Sequence, residues 1–274
     1  MTRRMPDSDG SGLNISQPAR KKSLGQHFLN SGRVVSRIID ALAPAPDLAV
    51  VEIGPGRGAL TRELAARCGR LVLVELDDGL IPILGANFPE ATIFHHDAAT
   101  LDMSLVAGGN RAVAVGNLPY NAGGQILFNL LDRNPPFERL VLMFQKEVAQ
   151  RLCATPGDRN HGAVSVLVSL LCERRYLFDV PPSKFIPPPA VMSGVVMFLP
   201  RLLPADASFL HGKEFFRFVH GLFAQPRKTV ANSMMDGLRI GRDDAARILA
   251  AAGVDPLSRP NCLTPAQVVD MFKA

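Results

Sequence analysis

The residues best suited to chemistry lie in Val115-Gly116-Asn117-Leu118-Pro119-Tyr120, an apolar run that ends in an amide, a proline and an aromatic ring. The side-chain oxygen of Asn117 and a main-chain carbonyl beside Pro119 can accept both hydrogens of an exocyclic amine. Tyr120 offers a face on which a base can stack. An amine of the adenine kind is a poor nucleophile, because its lone pair is delocalised into the ring. Two acceptors that draw the nitrogen toward a tetrahedral shape localise that lone pair as reaction proceeds. The same residues also suit an ordinary strand end with a proline turn, so their surroundings decide.

A second cluster is Glu52-Ile53-Gly54-Pro55-Gly56-Arg57-Gly58, which closes an apolar run and opens a helical pattern. Glycines at such a turn let the backbone approach a ligand closely. Glu75 follows about twenty residues on, at the end of the next apolar run, where an acid can hold ribose hydroxyls. With Ala59 the run also reads G-x-G-x-x-A, so on these residues alone a nicotinamide enzyme stays open. Asp97, after a third short strand, could accept from an adenine amine. In an open α/β sheet these strand ends and Asn117 to Tyr120 face one crevice. That arrangement suits S-adenosylmethionine and a methyl acceptor better than a nicotinamide.

These side chains need a frame, and hydrophobic periodicity supplies one. Val34, Val35, Ile38, Ile39 and Leu42 recur with helical spacing until Pro44 and Pro46. Strands over 49–53, 71–76, 92–95, 112–115 and 140–144 alternate with helices through Leu60 and Leu64, near 80–87, and over 126–131. The alternation predicts a parallel sheet with helices on both faces. A helix near 164–172 precedes strands at 175–180 and 191–199. These two are joined by the proline-rich 181–189 without a helix, which predicts an antiparallel edge.

After Pro204 the pattern turns helical. Phe215, Phe218, Val219, Leu222 and Phe223 form one stripe. Pro226-Arg227-Lys228-Thr229 opens a further helix, 243–252 is another, and Thr264-Pro265 caps the last. The expected organisation is a polar, disordered tail over 1–19, an α/β domain over 20–204 and a small all-helical domain over 205–274.

The bulk composition narrows the function classes. A chain of 274 residues with 47% hydrophobic residues excludes wholesale disorder. A net charge of +5 points mildly to a polyanion, and Arg20, Lys21 and Lys22 form a basic knot suited to phosphate contacts. Cys68, Cys153, Cys172 and Cys262 are scattered and read as reduced cytosolic thiols. The histidines show no metal spacing, so no metal is expected. No stretch is apolar enough for a signal peptide or a membrane span.

On these motifs the chain resembles the rRNA adenine N6,N6-dimethyltransferase family of the KsgA type, from about Lys21 to the C-terminus. The residues that carry the resemblance are Gly25-Gln26-His27-Phe28-Leu29, Glu52 to Gly58, Glu75-Leu76-Asp77, Asp97, Asn117 to Tyr120, Gln145-Lys146-Glu147-Val148, and Phe185 in its proline run. The resemblance implies a Rossmann-like class I methyltransferase sheet with S-adenosylmethionine as cofactor. Gln26, His27 and Leu29 would close over that cofactor. Glu52, Gly54, Gly56 and Gly58 would wrap its methionine part, Glu75 its ribose, and Asp97 with Ala98 its adenine. Asn117 and the carbonyl of Leu118, held by Pro119, would grip the target amine, while Tyr120 and Phe185 would sandwich its base.

The implied substrate is a pair of adjacent adenosines near the 3′ end of 16S rRNA in an assembling pre-30S subunit, each methylated twice by a monomeric enzyme. Lys21, Lys22, Lys146, Arg227 and Lys228 would contact RNA. Two departures from the family pattern stand out: Asn121-Ala122-Gly123-Gly124 in place of a Ser/Thr-containing run, and Asn160-His161-Gly162-Ala163 in place of an aromatic-glycine-basic run. Rival readings are a resistance-type 23S rRNA adenine methyltransferase, a non-catalytic assembly or transcription factor on the same fold, and a nicotinamide oxidoreductase.

Overall fold

The computed structural model describes residues 26–109, 111–132 and 137–274. The tail over 1–19, the basic knot with Lys21 and Lys22, and Gly25 lie outside them. In chain order the elements are β1 (Phe28–Leu29), α1 (Gly32–Leu42), β2 (Ala49–Ile53), α2 (Thr61–Ala65), β3 (Arg70–Glu75), α3 (Ile81–Asn87), β4 (Thr92–His95), α4 (Met103–Ala107), β5 (Ala112–Asn117), α5 (Gly123–Leu130) and β6 (Phe137–Gln145). There follow α6 (Lys146–Cys153), α7 (Ala163–Leu171), β7 (Cys172–Val180), β8 (Phe185–Ile186), β9 (Ser193–Pro200), α8 (Lys213–Leu222), α9 (Val230–Leu238), α10 (Arg242–Ala251) and α11 (Pro265–Lys273).

The main sheet has the order β4-β3-β2-β5-β6-β9-β7. Pairing is parallel from β4 through β6 and antiparallel on both sides of β9. The antiparallel strand therefore sits one place in from the edge, and β7 forms the edge itself. The link from β7 to β9 contains no α-helix, so the chain returns beside β7 in the only direction a helix-free connection readily allows.

Side chains alternate between the two faces of each strand, and this divides the core. Ala49, Val51, Val72, Val74, Ala112 and Ala114 pack on one face. Val50, Leu71, Leu73, Val113 and Val115 pack on the other, against the stripe of α1 made of Val34, Val35, Ile38, Ile39 and Leu42. Helix α1 stops where Ala43 turns left-handed at φ 47° just before Pro44.

The first face continues without a break into the C-terminal helices. Phe215, Val219, Leu222, Val230, Met234, Val268 and Met271 belong to the same apolar cluster as Leu167 and Phe198. Phe209, Phe215, Phe218 and Phe272 pack ring against ring within it. Among the described residues no helix is long and apolar enough to cross a membrane.

Candidate active site

Parallel strands that run the same way end at the same edge. The carboxyl ends of β2, β3, β4 and β5 open into a cleft of about 380 Å³. Gly54 and Gly56 line it with positive φ of 64° and 57°, a conformation that costs a side-chain-bearing residue dearly. Gly58 also has positive φ, at 81°, but does not line the cleft. A Cβ there would stand 2.7 Å from the ring of Phe88, so the glycine lets the turn pack on Phe88 at the end of α3. The expected cofactor contact at Gly58 thus falls on a residue set back from the cleft wall.

Three acids face the cleft at successive strand ends: Glu52, Glu75 and Asp97. Glu52 is buried, and its carboxyl accepts from Thr61 Oγ1 at 2.7 Å. Burial pushes its pKa up to about 8, with the Thr61 hydrogen bond opposing and Glu75 adding to the rise. Glu75 is also raised, chiefly by burial, although it accepts from the backbone N–H groups of Gly56, Leu76 and Asp77 at 3.1, 2.9 and 2.8 Å. A carboxylate has about four acceptor positions, so capacity remains for a hydroxyl in the cleft. Asp97 accepts from the Ala99 N–H at 2.8 Å, and Ala98 beside it lines the wall.

The N-terminal segment crosses over this cleft and is tied on several sides. β1 pairs with β8, Phe28 opposite Ile186 and Leu29 opposite Phe185. Gln26 Nε2 donates to Asp77 Oδ2 at 2.7 Å, and His27 Nδ1 lies 2.8 Å from the Pro187 carbonyl oxygen. Arg57 lies over the Phe28 ring at 4.5 Å. Gln26, His27 and Leu29 all line the cleft.

The most informative tie is at Asn117. Its Nδ2 donates to the carbonyl oxygen of His27 at 2.8 Å, which turns the amide so that Oδ1 is the atom left for the cleft. The next turn is shaped by the N–H groups of Ala122 and Gly123, both donating to the Pro119 carbonyl oxygen. Among the described residues no main-chain donor reaches the Leu118 carbonyl. Tyr120 lines the cleft, with its hydroxyl 3.0 Å from Ser193 Oγ and its ring stacked with His27 at 5.7 Å. Two acceptors and an aromatic face thus stand together, beside an acidic pocket.

Phe185 departs from expectation. It is 3% exposed, sits in the apolar cluster with Leu29 and Val180, and does not line the cleft. Strand alternation explains this, since in β8 the outward position belongs to Ile186, which is 53% exposed. Lys146 is away from the cleft lining and is ion-paired with Asp179 at 2.6 Å. Arg227 is exposed, and Lys228 pairs with Asp236 at 2.6 Å.

Of the two departures from the family pattern, Asn121 and Ala122 line the cleft, as does Gln125 just beyond. His161 instead turns inward, with Nδ1 3.0 Å from the Asn261 carbonyl oxygen. Thr61 and Ser193 escape a reading of the sequence, because a single hydroxyl in an apolar stretch carries no spacing signal. Among the described residues no group of three metal-ligating side chains could hold a metal ion, and all four cysteines are free thiols.

Comparison with known proteins matches the chain to a chemistry. A model of the family described as ribosomal RNA adenine dimethylase matches residues 18–274. The chain belongs to the ribosomal RNA adenine dimethylase family. Among curated relatives, the Ribosomal RNA small subunit methyltransferase A of Desulfitobacterium hafniense is 40% identical over 92% of this chain and 90% of its own length. The protein of that name from Methylococcus capsulatus is 39% identical over 92% and 96%. Among solved structures, a dimethyladenosine transferase from Plasmodium falciparum superposes with TM-score 0.73 at 23% identity, covering 90% of this chain and 96% of its own. The 23S rRNA methyltransferase ErmE gives 0.66 at 25%, covering 90% and 98%.

The protein is an rRNA adenine dimethyltransferase with a class I methyltransferase fold, and it uses S-adenosylmethionine. The residues present fit that cofactor. A sulfonium and an ammonium group carry positive charge, and the acidic lining of Glu52, Glu75 and Asp97 complements it. At Gly56 a Cβ would press on Phe28 at 3.0 Å, so the bare backbone leaves room for close approach beneath the N-terminal segment. When bound, the cofactor supplies a methyl group activated on a cationic sulfur.

Proposed function

We propose that the protein dimethylates the exocyclic amines of two adjacent adenosines near the 3′ end of 16S rRNA, within an assembling pre-30S subunit. The observation that carries this reading is the 40% identity over nine tenths of the chain to small-subunit methyltransferases. It is joined by an Asn117 amide whose Nδ2 is already committed to His27. The 23S-directed alternative has weaker support, at 25% identity to ErmE.

In this reading Asn117 Oδ1 and the Leu118 carbonyl accept the two amine hydrogens and hold the nitrogen lone pair toward the methyl group. Transfer is direct and in line, and the rate comes from positioning and preorganised acceptors. No general base is required, because the methylated amine is strongly acidic and gives its proton to water. After the first transfer one N–H remains, so one acceptor is released and its place admits a methyl. Tyr120 supplies the face for the base. Glu75 holds the ribose of the cofactor and Asp97 its adenine.

The helical segment 205–274, with Arg227 and Lys228, would dock on the subunit, and Lys21, Lys22 and Lys146 would add phosphate contacts. The protein would act as a monomer in the cytoplasm. Labelled S-adenosylmethionine incubated with under-methylated small subunits, and separately with large subunits, tests the proposal. Label mapped by mass spectrometry to adjacent dimethyladenosines in 16S rRNA is expected. Label confined to 23S rRNA would replace this reading with the resistance-type one.

A further inference from the structure

We propose that Ser193 is a positioning residue for the reaction: its hydroxyl anchors the Tyr120 phenol and so sets the plane on which the target base stacks. The inference rests on the assignment of Tyr120 to base stacking. Ser193 is the first residue of β9 and has no solvent exposure. It is in register with Gln145 of β6 on one side and Val180 of β7 on the other. The residue before it is pinned too, because the Met192 carbonyl oxygen accepts from the Lys146 N–H at 2.8 Å. Its backbone is therefore held between two neighbouring strands at the start of β9, one strand in from the edge of the sheet.

Tyr120 has no such frame of its own. It lies in the turn between β5 and α5, half-buried, with its hydroxyl 3.0 Å from Ser193 Oγ. A buried hydroxyl left without a partner loses its hydrogen bonds to water with nothing in return, so each group completes the other. Rotation of the ring about its first side-chain torsion would break this bond and its stacking with His27, whose ring plane is inclined by 26°. The ring is held at its tip by the sheet and on a face by the N-terminal segment. A platform held at two points can keep the roughly 10–20° tolerance that a functional group needs. Burial raises the Tyr120 phenol above its ordinary value, and the Ser193 hydrogen bond opposes that rise.

The chain contains two tyrosines and no tryptophan, which permits a direct test. In Tyr176→Phe protein the tyrosinate absorbance reports Tyr120 alone. Adding Ser193→Ala should move its titration midpoint upward, because burial is left unopposed. On under-methylated small subunits Ser193→Ala should lower kcat about tenfold, the equivalent of one lost hydrogen bond, with the S-adenosylmethionine dissociation constant within about twofold. Tyr120→Phe should lose as much, and the double variant no more than either single one, since both remove the same bond.

An unshifted phenol titration, or losses that multiply in the double variant, would overturn the proposal. If Ser193→Ala fails to fold, Tyr120→Phe addresses the same bond from its more accessible end, and full kcat there overturns it as well. A wild-type protein inactive on rRNA with the titration shift intact would instead overturn the assignment of substrate.

Discussion

Replacing Glu52 by glutamine should stabilise the cofactor-free protein by an amount that grows with pH. The carboxyl is 2% exposed and its pKa is pushed up to about 8, first by burial and further by Glu75, against the hydrogen bond from Thr61. Its ordinary value is 4.5. Between these values the fold keeps a proton that the unfolded chain releases, so the free energy of unfolding falls as pH rises. The slope is about 1.4 kcal/mol per pH unit for one group. The penalty is absent below pH 4.5 and complete above 8.

From pH 5 to pH 8 it amounts to roughly 4 kcal/mol, a large part of the stability of an ordinary domain. Glutamine keeps the volume and can still accept from Thr61, but cannot ionise. Urea unfolding of both proteins at pH 5 and pH 8 reads the effect of Glu52 together with its coupling to Glu75, because the other titrating groups are common to both. The gap between them should widen by roughly 4 kcal/mol over that interval. Parallel curves would refute the argument. The same substitution should weaken S-adenosylmethionine binding, since a cationic ligand favours the ionised acid. In the wild type that binding should release a proton near neutral pH, measurable by calorimetry in buffers of different ionisation heat.

Asn117→Ala should abolish methyl transfer while S-adenosylmethionine affinity changes by no more than a few-fold; full activity would remove Asn117 from the reaction. Phe185→Ala should cost about 3–5 kcal/mol in urea unfolding, the usual cost of emptying a buried aromatic site. Unchanged stability with weakened RNA capture would instead restore the base-sandwiching role. Gly58→Ala should destabilise by about 2 kcal/mol, combining a left-handed backbone with a methyl pressed on Phe88; an unchanged melting temperature would show that the turn relaxes freely.

Much of this protein is legible along the chain because its signals are local. Alternating strand and helix periods announce a parallel sheet, and the rule that such strands share an open edge brings Glu52, Glu75, Asp97 and Asn117 to one crevice. The apolar stripe of α1 and the proline after it place that helix within two residues at its start and to the residue at its end. The motif residues name the chemistry only in combination: Asn117 to Tyr120 alone would suit an ordinary proline turn, and the glycine turn with Glu75 and Asp97 is what sets a cofactor beside them.

What sequence alone left open depends on contacts between residues far apart in the chain. α4 is too short to show a period, and β1 and β8 exist only because they meet across about 160 residues. Phe185 looks like a platform when its proline run is read as an exposed loop, and becomes core once β8 pairs with β1 and turns it inward. The orientation of the Asn117 amide comes from the His27 carbonyl, and the set of the Tyr120 ring from Ser193. Residue type and spacing decided which groups could act at this site. Only the tertiary structure decided which way they point, because a hydrogen bond is directional and its partner here comes from a distant part of the chain.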